Sequence, residues 1–203
     1  MIQAATPALV LASASASRRA LLDAAGLRYQ ALAASVEEAS LKEAAQTEGL
    51  SAADAAVLLA DAKARHIARR MPEALVIGSD QLLVCGDRWF DKPRDMAEAA
   101  EHLRAFSGRK HQLVNGTVAW RFGQRVWQNA AVATLTVRPL SEAFIAAYLA
   151  VEGESVLATV GAYRLEGAGI HLFSAIEGEH SAILGMAMLP LLGFLRQHGV
   201  LAG

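Results

Sequence analysis

Short, continuously apolar runs that read as buried strands alternate with helical stretches over the whole 203-residue chain, and this interleaving most restricts its fold. Residues 8–12 (ALVLA) form the first run. Ser13, Ser15 and Ser17 follow as a hydroxyl-rich turn into a helix from Arg18-Arg19 that stops at Gly26. Ser51 and Asp54 resemble a capping box, after which Ala55, Leu58, Leu59 and Ala62 recur at helical spacing to about Arg70. Residues 74–79 (ALVIGS) are a second buried-strand pattern, ending at Asp80, and Gly86-Asp87 is a tight turn between LLVC and RWF. Asp95 and Glu98 open another helix, which stops at Ser107-Gly108. Residues 112–122 and 125–137 favour strand, with Gly123-Gln124 as their hairpin turn; Asn115-Gly116 inside the first is either a competing turn or a bulge. Ser141 begins a helix through about Ala150, residues 170–176 read as a final strand, and residues 181–195 as a buried C-terminal helix.

Hairpins argue against a purely parallel sheet. The expected architecture is therefore α/β of the mixed α+β kind: an elongated, twisted mixed sheet flanked by helices, with two lobes around a cleft, the whole of residues 1–203 forming one domain.

Composition narrows the function. Hydrophobic residues make up 54% and charged residues 19%, which marks a packed chain rather than a disordered one. A net charge of −1 supplies no global field for a nucleic-acid duplex or an anionic membrane, so any affinity for phosphate must be local. The 181–195 stretch is shorter than the roughly 18–20 residues a membrane span requires, and no basic residue precedes the N-terminal apolar run as in a signal peptide; a cytoplasmic protein is expected. The lone Cys85 sits in an apolar run and reads as a buried small hydrophobe. The six histidines lack the close pairing of a zinc site.

Three places put hydroxyls or charges just beyond apolar runs: Ser13 to Arg18, Glu37-Glu38, and Asp80 with Lys92. The first is either an anion cradle at a helix N-terminus or an ordinary N-cap with solvated arginines. Asp80 needs compensation by a metal or a lysine, unless it serves as a turn or salt-bridge residue. Lys63, between Ala62 and Ala64, reads on residue type alone as part of a solvated face, and Lys92 before Pro93 has the same reading. His111 suits a satisfied structural histidine. GxxxxGK[ST], GxGxxG and HExxH are all absent from the sequence.

Taken together, LASASASRRALLDAAG, VEEA, LADAKA, VIGSDQ, DKP, FSGRKH and GAYRLEG resemble, in order and spacing, the Maf family of nucleotide pyrophosphatases, and the match covers nearly the whole chain. The resemblance implies a fold similar to inosine triphosphate pyrophosphatases, a divalent metal cofactor (magnesium or manganese) and a homodimer. It assigns phosphate binding to Ser13, Ser15 and Arg18, and the catalytic cleft to Glu38, Lys63, Asp80 and Lys92. Because hard oxygen ligands suit such a metal, Glu38 and Asp80 are the expected metal ligands, with Asp80 also the expected base. The resemblance implies hydrolysis of a nucleoside triphosphate to monophosphate and pyrophosphate. Glu166 stands where the 7-methylguanosine triphosphate subgroup carries Glu and pyrimidine-preferring members carry Gln. An ionised Glu only accepts hydrogen bonds, which suits guanine's N–H donors. GSDQ leans the same way, whereas Ser17 stands where that subgroup tends to carry Trp. Other departures are Ala16-Ser17 in place of the usual Ser-Pro, Glu37-Glu38 for Asp-Glu, and Gly185-Met186-Ala187-Met188 for Gly-Leu-Pro-Leu. The alternatives are a pyrimidine (dTTP/UTP) pyrophosphatase and a nucleotide-binding regulator of septum formation.

Overall fold

The computed structural model describes residues 2–203. Its first apolar run is β1 (Leu9–Leu11), buried throughout and paired in parallel with β2 (Gln30–Ala31) and β3 (Leu75–Cys85). Parallel neighbours need crossovers. Here α1 (Ala16–Ala24) leads to β2, and α2 (Glu38–Thr47) with α3 (Ala52–Ala68) leads to β3. Ser15 caps α1 by accepting from the Arg18 N–H, and Ser51 caps α3 by accepting from Asp54.

Beyond β3 the pairing turns antiparallel. β4 (Arg88–Phe90) folds back on β3 through Gly86, whose φ of 62° is the left-handed conformation this turn requires. α4 (Met96–Phe106), capped by Asp95, precedes β5 (Lys110–Arg121) and β6 (Gln124–Val137). Then come α5 (Glu142–Glu152), three short 3-10 turns, β7 (Phe173–Glu177) antiparallel to β6, α6 (His180–Ile183) and α7 (Met188–Gln197). The seven-stranded sheet runs β2-β1-β3-β5-β6-β7, with β4 on β3, and is the mixed α/β architecture expected. Among the described residues no helix is long and apolar enough to cross a membrane.

The chain forms two compact units and passes between them inside β3, β5 and β6. The first holds residues 2–81, 115–131 and 180–203. β1 and the part of β3 in this unit are buried on both faces, which explains their apolar runs. Leu9, Leu11, Leu75, Ile77 and Ala119 pack with Leu22, Met186, Leu191 and Phe194 on one face. The alternate residues Val10, Val76 and Val118 pack with Ala60, Ala64 and Ile67 of α3 on the other. α3 approaches closely because Gly78 and Gly116 lie under it: a Cβ on Gly78 would stand 2.2 Å from the Ala60 carbonyl oxygen.

The second unit, residues 82–114 and 132–179, carries an aromatic stack of Phe90, His102, Phe106, His111, Tyr163 and Phe173. His111 is a structural histidine, its Nε2 lying 2.7 Å from the Tyr163 hydroxyl, though its buried Nδ1 has no hydrogen-bond partner and the satisfied ring expected is only half met. Burial drives its pKa from 6.5 down to about 4. Below pH 6.5 the unfolded chain takes up a proton that the folded ring refuses, so stability falls as pH drops from 6.5 towards 4. At about 1.4 kcal/mol per pH unit the loss approaches 3 kcal/mol, and burial of His102 adds in the same direction. Denaturant unfolding at pH 7 and pH 4.5 should show this loss, and His111→Gln, which cannot titrate, should flatten it; an unchanged slope assigns the effect to other groups.

Several sequence expectations are corrected. Asp80 does not end its strand, because QLLVC continues β3 for five residues beyond it. Asn115-Gly116 forms no turn and lies buried within β5. The segment 170–176 divides into a 3-10 turn and β7, and 181–195 breaks into α6 and α7 at Gly185, whose φ of 113° no helix accommodates. α2 has no counterpart in the sequence reading.

Candidate active site

Alternation along β3 places Asp80 on the same face as Gly78, beneath α3, and Lys63 descends from α3 to meet it. The Lys63 ammonium is 2.7 Å from Asp80 Oδ1 and 2.9 Å from Oε1 of Glu38, the first residue of α2. Both Lys63 and Asp80 are buried, while the Glu38 side chain is 44% exposed and therefore open to a ligand. The solvated-face reading of Lys63 is thus wrong. Ala56, Leu59, Ala60, Lys63, Ala64 and Ile67 form one buried stripe of α3 at helical spacing.

Arg18 joins the group from α1. It is buried rather than solvated, with one guanidinium nitrogen 4.0 Å from Asp80 Oδ1. Its Nε donates to the Gly185 carbonyl at 2.9 Å and its Nη1 to Ser13 Oγ at 3.3 Å. Burial lowers its pKa, and the charges of Asp80 and Glu38 oppose that shift. A guanidinium has five N–H donors, so capacity remains for an anion. Ser13 Oγ also accepts from the Ser15 N–H, and Ser15 caps α1; the serine-rich turn therefore combines a genuine N-cap with an inward-facing arginine.

One carbonyl anchors this arrangement. Gly185 O accepts from Arg18 Nε, from Ser79 Oγ at 3.1 Å and from Asn115 Nδ2 at 2.6 Å. Asn115 Nδ2 also reaches the Asp80 carbonyl at 3.0 Å, while its Oδ1 accepts from Thr117 Oγ1 at 3.1 Å and the Ala187 N–H at 3.3 Å. Gln81 donates to the Ala182 carbonyl at 2.7 Å. These bonds fix the Gly185-Met186-Ala187-Met188 segment without the proline usual there. Ser79, Gln81, Asn115, Thr117 and Gly185 escaped the sequence reading; the available signal was polar residues inside otherwise apolar β3 and β5, which must find partners when buried.

Ser13, Ser15, Arg18, Glu38, Lys63 and Asp80 all belong to the first unit. Lys92 and Glu166 belong to the second. Lys92 is exposed in the loop between β4 and α4. Glu166 is exposed in a turn, 3.9 Å from Arg164, and the buried Glu152 carboxylate steadies that turn by accepting from the Ala168 N–H at 2.6 Å.

Asp80 Oδ2 is buried and receives no hydrogen bond. A desolvated carboxylate oxygen with no donor is suited to a cation or to the proton of a bound water. Two cationic side chains, two carboxylates and a helix N-terminus converging on a central strand define a mixed α/β protein equipped to hold phosphate groups together with a cation.

A family model described as Maf-like protein matches residues 8–198. The chain belongs to the Maf family. It is 52% identical to the 7-methyl-GTP pyrophosphatase of Rhizobium meliloti over 195 residues, 96% of this chain and 98% of that protein. It is 50% identical to a nucleoside triphosphate pyrophosphatase of Granulibacter bethesdensis over 95% of this chain and 98% of that one. The 7-methyl-GTP pyrophosphatase of Rhizobium etli is 48% identical over 98% of this chain and its own entire length.

Proposed function

We propose that this chain is a nucleoside triphosphate pyrophosphatase that hydrolyses the α–β phosphate bond of a 7-methylguanosine-type triphosphate, releasing monophosphate and pyrophosphate in nucleotide-pool housecleaning. The observation that carries this reading is the lysine shared by two carboxylates, Lys63 between Asp80 and Glu38, beside the buried Arg18. A triphosphate brings several negative charges together, so its cleavage needs cations on the non-bridging oxygens and a positioned water. Lys63 and Arg18 supply cationic donors, and Ser13 and Ser15 with the α1 N-terminus supply neutral ones. Asp80 holds Oδ1 on Lys63, leaving Oδ2 to orient the attacking water and take its proton as the bond to the departing pyrophosphate breaks.

Magnesium or manganese fits this donor set. Both residues offer hard oxygen, Oδ2 lacks a partner, and magnesium is commonly held by one or two carboxylates with substrate phosphates rather than by an all-protein cage. Glu38 and Asp80 would hold the ion, which when bound adds positive charge to the phosphate oxygens. Lys92 is assigned a further share of that neutralisation. The proposed setting is cytoplasmic, as a homodimer, with residues 1–203 acting as one Maf-like domain.

Base choice is assigned to Glu166, whose carboxylate accepts from guanine N1–H and N2–H. Relatives carrying the name 7-methyl-GTP pyrophosphatase support a 7-methyl-GTP-type substrate. Glu166→Gln is expected to move the ratio of kcat/KM for 7-methyl-GTP over UTP towards UTP by about tenfold or more. An unchanged ratio removes Glu166 from base recognition.

The deciding experiment is incubation of the pure protein with magnesium and a panel of ordinary and modified triphosphates, measuring pyrophosphate. Release from 7-methyl-GTP ahead of the others is expected. Preference for dTTP or UTP would identify a pyrimidine enzyme. Nucleotide binding without release would leave a regulatory protein.

A further inference from the structure

Outside the site just described, an open hollow of about 310 Å³ lies between α2 and α3 within the first unit. Its α3 wall is Ala62, Arg65, His66 and Arg69, spaced i, i+3, i+4 and i+7 and therefore on one face of the helix. Lys63 leaves α3 on another side, towards Asp80. The facing wall brings Val36, Glu37, Ser40 and Leu41.

The charge balance of this hollow is uneven. Two arginines and a histidine face one carboxylate, and among the described residues no side-chain hydrogen bond or ion pair engages Arg65, His66 or Arg69. Arg65 and Arg69 stand one helical turn apart, so two planar forks open on the same side, the geometry that grips phosphate oxygens. Val36, Leu41 and Ala62 add an apolar wall, and the volume lies within the range of small-molecule sites.

We infer that the hollow between α2 and α3 is a second binding site, separate from the catalytic carboxylates, for a small ligand bearing a phosphate or diphosphate group held by Arg65 and Arg69 with His66 beside them. The same chemistry is offered by inorganic pyrophosphate and by a nucleoside monophosphate, and the two differ in their use of the apolar wall. Inorganic pyrophosphate needs only the arginines, whereas a monophosphate rests its base against Val36 and Leu41.

His66 provides the readout. Its imidazole NMR signals are followed in the full-length protein, with EDTA present, as inorganic pyrophosphate or guanosine monophosphate is added at constant ionic strength. Saturable shifts are expected with at least one of the two, the stronger binder identifying the source. R65E/R69E should weaken the apparent affinity at least tenfold, and the milder R65Q/R69Q should weaken it in the same direction should the double reversal fold poorly. Asp80→Asn should leave the shifts in place. The magnesium-dependent turnover of R65Q/R69Q at low product concentration should match that of the unaltered protein. Absence of saturable shifts with both compounds, equal shifts with sodium chloride, or shifts lost in Asp80→Asn but kept in R65E/R69E would each overturn the second site. The binding outcomes do not depend on whether triphosphates are cleaved, so failure of the pyrophosphatase reading remains distinguishable.

Discussion

Asp80→Asn should lower triphosphate turnover by about a hundredfold or more while the protein stays folded, because the substitution removes a charge and a base without changing shape. The asparagine oxygen can still accept from Lys63, now 2.7 Å from Oδ1, so the contact between α3 and β3 has a partner in the variant. What disappears is the negative charge opposite Lys63 and Arg18, and with it the basicity of Oδ2, which the fold leaves buried and undonated. Circular dichroism and a thermal melt establish folding, and a pyrophosphate-release assay under saturating triphosphate establishes kcat. A variant with near-native kcat and an intact fold would exclude Asp80 as the base, and the proposed chemistry would have to move to another residue.

The site was more legible in the sequence than its reasons. Ser51 is the N-cap its spacing from Asp54 announces, Ser15 is the member of the serine-rich turn that caps α1, and Gly86 and Gly123 mark turns where a positive φ is required. The strand cores could be read because continuous apolar runs fit strands covered on both faces. Lys63 was misread because a lysine among alanines looks solvated when only its neighbours in sequence are considered. Its helical neighbours Leu59, Ala60 and Ile67 are all buried, and the period of α3 points Lys63 the same way.

Other features lay beyond local pattern. α2 is weakly signalled: Glu37 at its N-cap position makes no side-chain capping bond, and Ala45 is its one buried residue. Asn115-Gly116 has the composition of a turn, yet tertiary structure overrides it. Asn115 is consumed by Gly185, Asp80 and Thr117 across distances in sequence of up to 70 residues, and Gly116 by the approach of α3. The break at Gly185 follows from the same network, since three donors converge on a carbonyl that a continuous helix would have turned along its own axis. The polar side chains of Ser79, Asn115 and Thr117 are thus fully buried, and their partners could not be named until the strands were in register.

Gly116→Ala is expected to be strongly destabilising, costing about 3 kcal/mol or more and sharply lowering the yield of folded protein. An ideal Cβ at this position would lie 2.3 Å from the Ala56 carbonyl carbon and 2.4 Å from both the Ala56 oxygen and the Val57 nitrogen. All three are helix backbone, so no rotamer change relieves the clash; either α3 lifts from the sheet or β5 bends. Lifting α3 would also open its packing of Ala60, Ala64 and Ile67 on Val76 and Val118, and would draw Lys63 away from Asp80. The alanines of α3 and the glycines beneath them therefore serve chemistry as well as packing, since only a helix seated this low lets the lysine reach the carboxylate. Denaturant unfolding compares Gly116→Ala with Gly26→Ala, where a Cβ meets nothing within 4 Å and the penalty comes only from a φ of 68°. The Gly26 variant should lose about 1 kcal/mol and keep its turnover, whereas any Gly116→Ala protein that still folds should lose both stability and turnover. Equal penalties at the two positions would show that the closeness of α3 to β5 is not what holds the site together.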